Sequence, residues 1–133
     1  DVVRIARAKG FIKLKPETVK LISEGKVPKG DVLGVAKTSA ILAVKKVPEL
    51  IPLTHPIHIT GVNVRTSLLD DGVEMEVEVK SIGKTGVEME ALTGVAIGLL
   101  TIWDMTKGLE KNEQGQYPTT AIREIKVVEK VKQ

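Results

Sequence analysis

Asp104 and Lys107 stand three positions apart at the end of a long apolar stretch, in "LLTIWDMTK". On a helix this spacing puts a carboxylate and an amine on neighbouring parts of one surface. In water such a pair is a surface salt bridge. Partly desolvated, it can act as general acid and base, because burial readily lowers a lysine's proton affinity and the carboxylate responds strongly to its partner. The close of an apolar helix is a setting for the second role, and both readings stay open. At the other end of the stretch, "GVEMEALT" carries Glu88 and Glu90. These either form a negative first turn favoured by the helix dipole or contact a ligand. If one helix holds both ends, Glu90 and Asp104 lie about 21 Å apart at roughly 1.5 Å per residue. They then serve opposite ends of a long ligand, or the site is assembled across subunits.

Two further motifs bear on a site. "GKTG" at positions 83–86 resembles part of a phosphate loop, but that loop requires glycine where this chain has Glu78. Lys84 in its glycine-flanked turn is left as an anion contact. His55 and His58 in "LTHPIHI" have the wrong company for a metal: Pro56 breaks helical spacing and no cysteine supplies a further ligand. A histidine in a proline-stiffened turn suits a substrate contact or proton transfer, or a plain structural role.

The elements that must position these residues follow from periodicity and breakers. "VVRIARAKGFIKL" has the β-branched, alternating character of a strand. "KPETVKLISEG" reads as a short helix with Pro16 in its first turn and Gly25 as terminator. A basic turn, "KVPKGD", leads to a second helix, "VLGVAKTSAILAVKKV", ended by Pro48. "HITGVNVRTSLL" and "GVEMEVEVKS" form two strands about an Asp-Asp-Gly turn, and in the second Val73, Met75, Val77 and Val79 alternate with Glu74, Glu76, Glu78 and Lys80. The long apolar helix, a polar loop "EKNEQGQYP" and a last strand "AIREIKVVEKVK" complete the chain.

The order β-α-α-β-β-α-β predicts an α+β fold of ferredoxin-like shape, an antiparallel sheet with helices packed on one face, in a single domain over residues 1–133. In the long helix, Leu92, Val95, Leu99, Ile102 and Trp103 share a stripe facing the sheet, while Met89, Ile97 and Leu100 lie away from it. A helix apolar all round is buried all round, and in so short a chain a second subunit supplies that burial at least cost. Gly94 and Gly98 would then admit either a neighbouring subunit's backbone or a close contact within the monomer.

Composition excludes several classes. With 42% apolar residues the chain is a folded globular protein. It has no cysteine, hence no disulfide, thiolate metal site or cysteine nucleophile. A net charge of +3 is mildly basic. Only three aromatics, Phe11, Trp103 and Tyr117, are available as stacking platforms, so nucleic acid is not an expected partner. No run approaches the roughly 20 apolar residues of a membrane span; no membrane partner is expected, and a cytoplasmic location is.

Taken together, "KGDV", "LIPLTHPI", "GKTGVEMEALTGVA" and "LTIWDMTK" resemble the molybdenum cofactor biosynthesis protein C (MoaC) family, the cyclic pyranopterin monophosphate synthases. The similarity runs in order from Arg4 to Lys130. It implies a ferredoxin-like subunit paired into dimers and then a hexamer, with the site between subunits. It also implies a GTP-derived substrate, a cyclised dihydroguanosine triphosphate that becomes cyclic pyranopterin monophosphate with loss of pyrophosphate. The resemblance places the family's acid–base pair on Asp104 and Lys107. Its binding residues fall on Lys29, on Leu53, Thr54 and His55, on Glu88, Met89 and Glu90, and on Arg4 and Lys130. Thr54 stands where many members carry cysteine. No resident cofactor is expected, and magnesium accompanying the triphosphate is left open. The alternative reading is an oligomeric ferredoxin-like module that binds or senses a small ligand without catalysis.

Overall fold

The computed structural model describes residues 2–133. Strand β1 (Val2–Lys13) is followed by helices α1 (Pro16–Ser23), α2 (Val32–Val44) and α3 (Val47–Leu50). Strands β2 (Ile59–Leu69) and β3 (Gly72–Gly83), helix α4 (Glu88–Glu110) and strand β4 (Ala121–Lys132) complete the order. The sheet runs β2-β3-β1-β4 with every neighbour antiparallel. This is the ferredoxin-like α+β architecture read from the sequence.

The alternation in β3 translates directly into burial. Val73, Met75, Val77 and Val79 are inaccessible to solvent and face the helices, joined by Ala6, Ala8 and Ile12 of β1. The opposite face carries paired charge: in register, Arg65 of β2 meets Glu76 at 3.4 Å and Arg7 of β1 meets Glu129 of β4 at 2.7 Å, and on the diagonal Lys9 of β1 meets Glu74 at 3.8 Å. Cross-strand pairs of opposite sign suit a sheet face turned to water.

One expectation about the helices needs correction, and one choice left open is decided. The second helix stops at Val44, short of Pro48, because the chain turns at Lys45–Lys46 and Pro48 instead sits in the first turn of the short α3. Proline is readily accepted there, since its missing N–H would have had no partner. The glycines of α4 also have an intramolecular role. A Cβ at Gly94 would come within 2.9 Å of Val44 and 3.3 Å of the Ala40 carbonyl, and one at Gly98 would collide with Met75. They let α2 and α4 pack closely within one protomer, so they are not free to admit a neighbour's backbone.

The sheet-facing stripe of α4 is Ala91, Val95, Leu99, Ile102 and Met105. Leu92 and Trp103 were expected in it but sit half-buried at its margin. Trp103 packs edge-to-face on Tyr117, ring centroids 5.1 Å apart. Away from the stripe, Leu100 is 53% exposed, and Ile97 lines a groove with similarly exposed Leu42 and Leu50 of the neighbouring helices. The far side of the helix layer is therefore apolar and uncovered in the single chain.

Candidate functional site

The candidate residues collect at the two ends of α4. At its C-terminal end the loop between α1 and α2 delivers Lys29. Gly30 adopts φ +112, a conformation that side-chain-bearing residues avoid. Asp31 then accepts the Gly34 N–H at 3.1 Å and caps α2. With the turn fixed this way, the Lys29 ammonium reaches Asp104, 3.6 Å from Oδ2, and donates to its backbone carbonyl at 3.2 Å. Lys107 Nζ lies 2.9 Å from Asp104 Oδ1. Two cations thus flank one carboxylate.

The electrostatics of this cluster match the salt-bridge reading of the pair. In the single chain the pair is not desolvated: Asp104 and Lys107 side chains are 60% and 43% exposed. Lys107, through its hydrogen bond and charge, holds the Asp104 carboxyl below the ordinary range, with Lys29 assisting. Asp104 in turn raises Lys107 above the usual lysine value. The lysine is shifted upward where a desolvated pair would have shifted it downward, because contact with the carboxylate outweighs burial.

At the N-terminal end of α4 the groups are Arg4, Glu88, Met89, Glu90 and Lys130. Arg4, at the end of β1, donates to the Lys84 carbonyl at 2.9 Å and to Gly83 at 3.5 Å. The turn at 83–86 thus engages the arginine through its backbone carbonyls. Lys130 Nζ of β4 donates to Glu88 at 3.2 Å. Gly86 leaves room for this pair, since a Cβ there would stand 2.5 Å from Glu88 Oε1. The Glu88 carboxyl is held below its ordinary range by a backbone N–H of the helix start, then by Lys130 and Arg4. Arg4, Gly86, Lys130 and Lys132 line one concave surface of about 210 Å³.

Glu90 differs from Glu88 although only two residues away. It is buried, 3% exposed, and its Oε1 has no hydrogen-bond partner. Burial pushes its carboxyl above the ordinary range. It borders a cavity of about 80 Å³ with Val44, Pro48, Pro56 and Ile57. Those prolines bracket the turn carrying Leu53, Thr54 and His55, so this turn belongs to the Glu90 end. Leu53 is 92% exposed, and Thr54 is tied to the Ile51 carbonyl at 2.8 Å.

The two ends remain separate within the protomer, at the roughly 21 Å spacing that helix rise dictates. The cluster of Lys29, Asp104 and Lys107 is one group, and the cluster around Arg4, Glu88, Glu90 and Lys130 is the other. Among the described residues no group of three or more His, Asp or Glu side chains is arranged to hold a metal, and no helix is long and apolar enough to cross a membrane. Sequence reading missed Glu110, buried one turn beyond Lys107, and Tyr117, whose ring packs on Trp103. A glutamate ending an apolar helix was the available signal for the first. The second has none in the sequence.

The sequence model described as the MoaC family matches residues 1–132. A protein of Pyrococcus furiosus described as a probable cyclic pyranopterin monophosphate synthase is 60% identical over 133 residues, covering 100% of this chain and 85% of that protein. One of Pyrococcus horikoshii with the same description is 62% identical, covering 99% and 84%. A third, from Methanopyrus kandleri, is 56% identical, covering 98% and 86%.

Proposed function

Because the chain belongs to the MoaC family, we propose that it is a cyclic pyranopterin monophosphate synthase of molybdenum cofactor biosynthesis. It converts (8S)-3',8-cyclo-7,8-dihydroguanosine 5'-triphosphate to cyclic pyranopterin monophosphate and releases pyrophosphate. The observation that carries this reading is the pairing of an acid–base cluster with a separate basic cluster at opposite ends of one helix, in a chain matched by the family throughout.

The chemistry asks for both clusters. A triphosphate and its leaving pyrophosphate carry several negative charges, which Arg4 and Lys130 neutralise at one end and Lys29 at the other. Substrate phosphate displaces Glu88 from Lys130, exchanging one anion for another. Opening the imidazole ring of the purine and reclosing it as a pyrazine moves protons repeatedly on nitrogen and oxygen. Asp104 serves as general base and Lys107 as general acid in those transfers, with His55 within the binding turn. Attack of a ribose hydroxyl on the innermost phosphate closes the cyclic phosphate as pyrophosphate departs, a step that depends chiefly on alignment.

One protomer cannot bring these groups onto one substrate, so the site is built from the Asp104 end of one α4 and the Arg4–Glu90 end of a neighbouring copy. The uncovered apolar side around Leu42, Leu50 and Leu100 supports an oligomer, a dimer assembling to a hexamer. Closure of the neighbour over Asp104 and Lys107 removes water from the pair and brings the lysine's pKa down toward working pH. The test is incubation with the cyclised triphosphate, followed by detection of pyranopterin and pyrophosphate. Recovery of the triphosphate intact, bound or free, would overturn the reading in favour of a binding module.

A further inference from the structure

Glu110 is completely buried, and the chemistry above makes no use of it. Its carboxylate accepts the Lys15 backbone N–H at 3.1 Å (Oε2) and 3.3 Å (Oε1), the Thr18 hydroxyl, and the Thr120 hydroxyl at 2.6 Å. Beside it, Lys15 Nζ donates to the Leu109 carbonyl at 3.2 Å. A buried carboxylate persists only where donors replace the water it has lost. Here the donors come from the start of α1 and from the segment before β4. The N-cap residue of α1, Lys15, makes no side-chain cap of its own. Glu110 provides a cap of another kind from α4, holding the start of α1 by the Lys15 backbone N–H and the Thr18 hydroxyl.

The cap ties one end of α1 to α4. The chain leaves the other end of α1 through Gly25 and buried Val27, and reaches Lys29, which meets Asp104 at 3.6 Å. The two elements are therefore joined twice, about 9 Å apart along α4 at 1.5 Å per residue, with the short rigid helix α1 between the joints. We propose that Glu110 is a positioning residue: by pinning the start of α1 it sets the reach of Lys29 to Asp104. The catalytic consequence rests on the functional reading above, whereas the positional one does not.

The experiment follows the Asp104 carboxyl by carbon-detected NMR titration in wild type, Glu110→Leu, Lys29→Ala and the double variant. Leucine fills the volume but accepts no hydrogen bond. Glu110→Leu is expected to raise the Asp104 midpoint because Lys29 withdraws. Loss of a nearby negative charge would by itself lower it, so the sign separates placement from field. The double variant is expected to match Lys29→Ala alone, because both changes remove the same contact. In parallel, kcat/KM on the cyclised triphosphate falls about 10-fold in Glu110→Leu, and Glu110→Gln, which keeps one acceptor oxygen, recovers most of it. An Asp104 midpoint unchanged or lowered in a folded Glu110→Leu, or shifts that simply add in the double variant, would overturn the proposal. If Glu110→Leu does not fold, Thr18→Val, which removes one of the anchoring donors, is titrated instead, and an unshifted Asp104 there is equally fatal. The titration needs no turnover, so it decides this inference even if the enzyme reading fails.

Discussion

Glu90→Gln should make the protein more stable and less active. Glu90 is 3% exposed with Oε1 unpartnered, and burial raises its carboxyl above the ordinary value of 4.5. An acid whose folded-state pKa is raised contributes stability while protonated, below its unfolded pKa. That contribution is lost as pH rises through the folded value, where a charge must be kept in the core. Glutamine keeps the shape and carries no charge at any pH. Wild type and variant should therefore melt together near pH 4, and the variant should gain progressively above pH 4.5. Glutamine leaves the same atom unpartnered but uncharged, so the plateau of the gain is the extra cost of keeping the charge buried, about 1–3 kcal/mol. With an unfolding entropy of about 2.1 cal/mol/K per residue, a chain of 133 residues converts this to a Tm rise of about 4–11 °C. The assay is calorimetry at fixed protomer concentration across pH 4 to 8, with pyrophosphate release measured at pH 8. A lower Tm at pH 8, or a difference that does not change with pH, would refute the reasoning. The proposed substrate-binding role of Glu90 gives a reason to keep so costly a group.

Further outcomes follow from the same geometry. Gly94→Val should lower stability by about 3 kcal/mol, because even its Cβ meets Val44 at 2.9 Å and the Ala40 carbonyl at 3.3 Å; urea denaturation checks this, and an unchanged midpoint would show that the α2–α4 contact is looser than described. Lys107→Ala should raise the Asp104 titration midpoint more than Lys29→Ala does, since Lys107 is the larger influence and Lys29 the smaller; the reverse order by NMR would contradict the hydrogen-bond geometry. Lys130→Ala should raise the Glu88 midpoint and weaken triphosphate binding, measured by calorimetric titration, while leaving Asp104 unshifted at the far end of α4.

Local pattern made most of the architecture legible. The strict alternation of β3 specified both its faces, and the breakers at Gly25, Asp70–Gly72 and Pro118 bounded its neighbours. The end of α2 was misplaced because proline marks where a helix cannot continue, and the turn at Lys45–Lys46 had already ended this one. Gly94 and Gly98 advertised a close approach without saying to what; Ala40, Val44, Met75 and Val77 answer from 17 to 58 residues away in sequence. The Asp104–Lys107 pair was legible from spacing alone. The direction of its pKa shifts was not, because that depends on exposure, which an apolar sequence context left undecided. Glu110 was illegible for a related reason: its partners lie at Lys15, Thr18 and Thr120, and only the fold brings them to it.

The central claim, that each site joins the Asp104 end of one protomer to the Arg4–Glu90 end of another, is tested most directly by subunit mixing. Asp104→Asn and Lys130→Ala proteins, each first assayed alone for residual activity, are unfolded together, reassembled at equal amounts and assayed for pyrophosphate release. Random assortment makes about a quarter of the shared sites fully intact, so about a quarter of wild-type turnover should return. Activity no greater than the sum of the two separate variants would contradict the account.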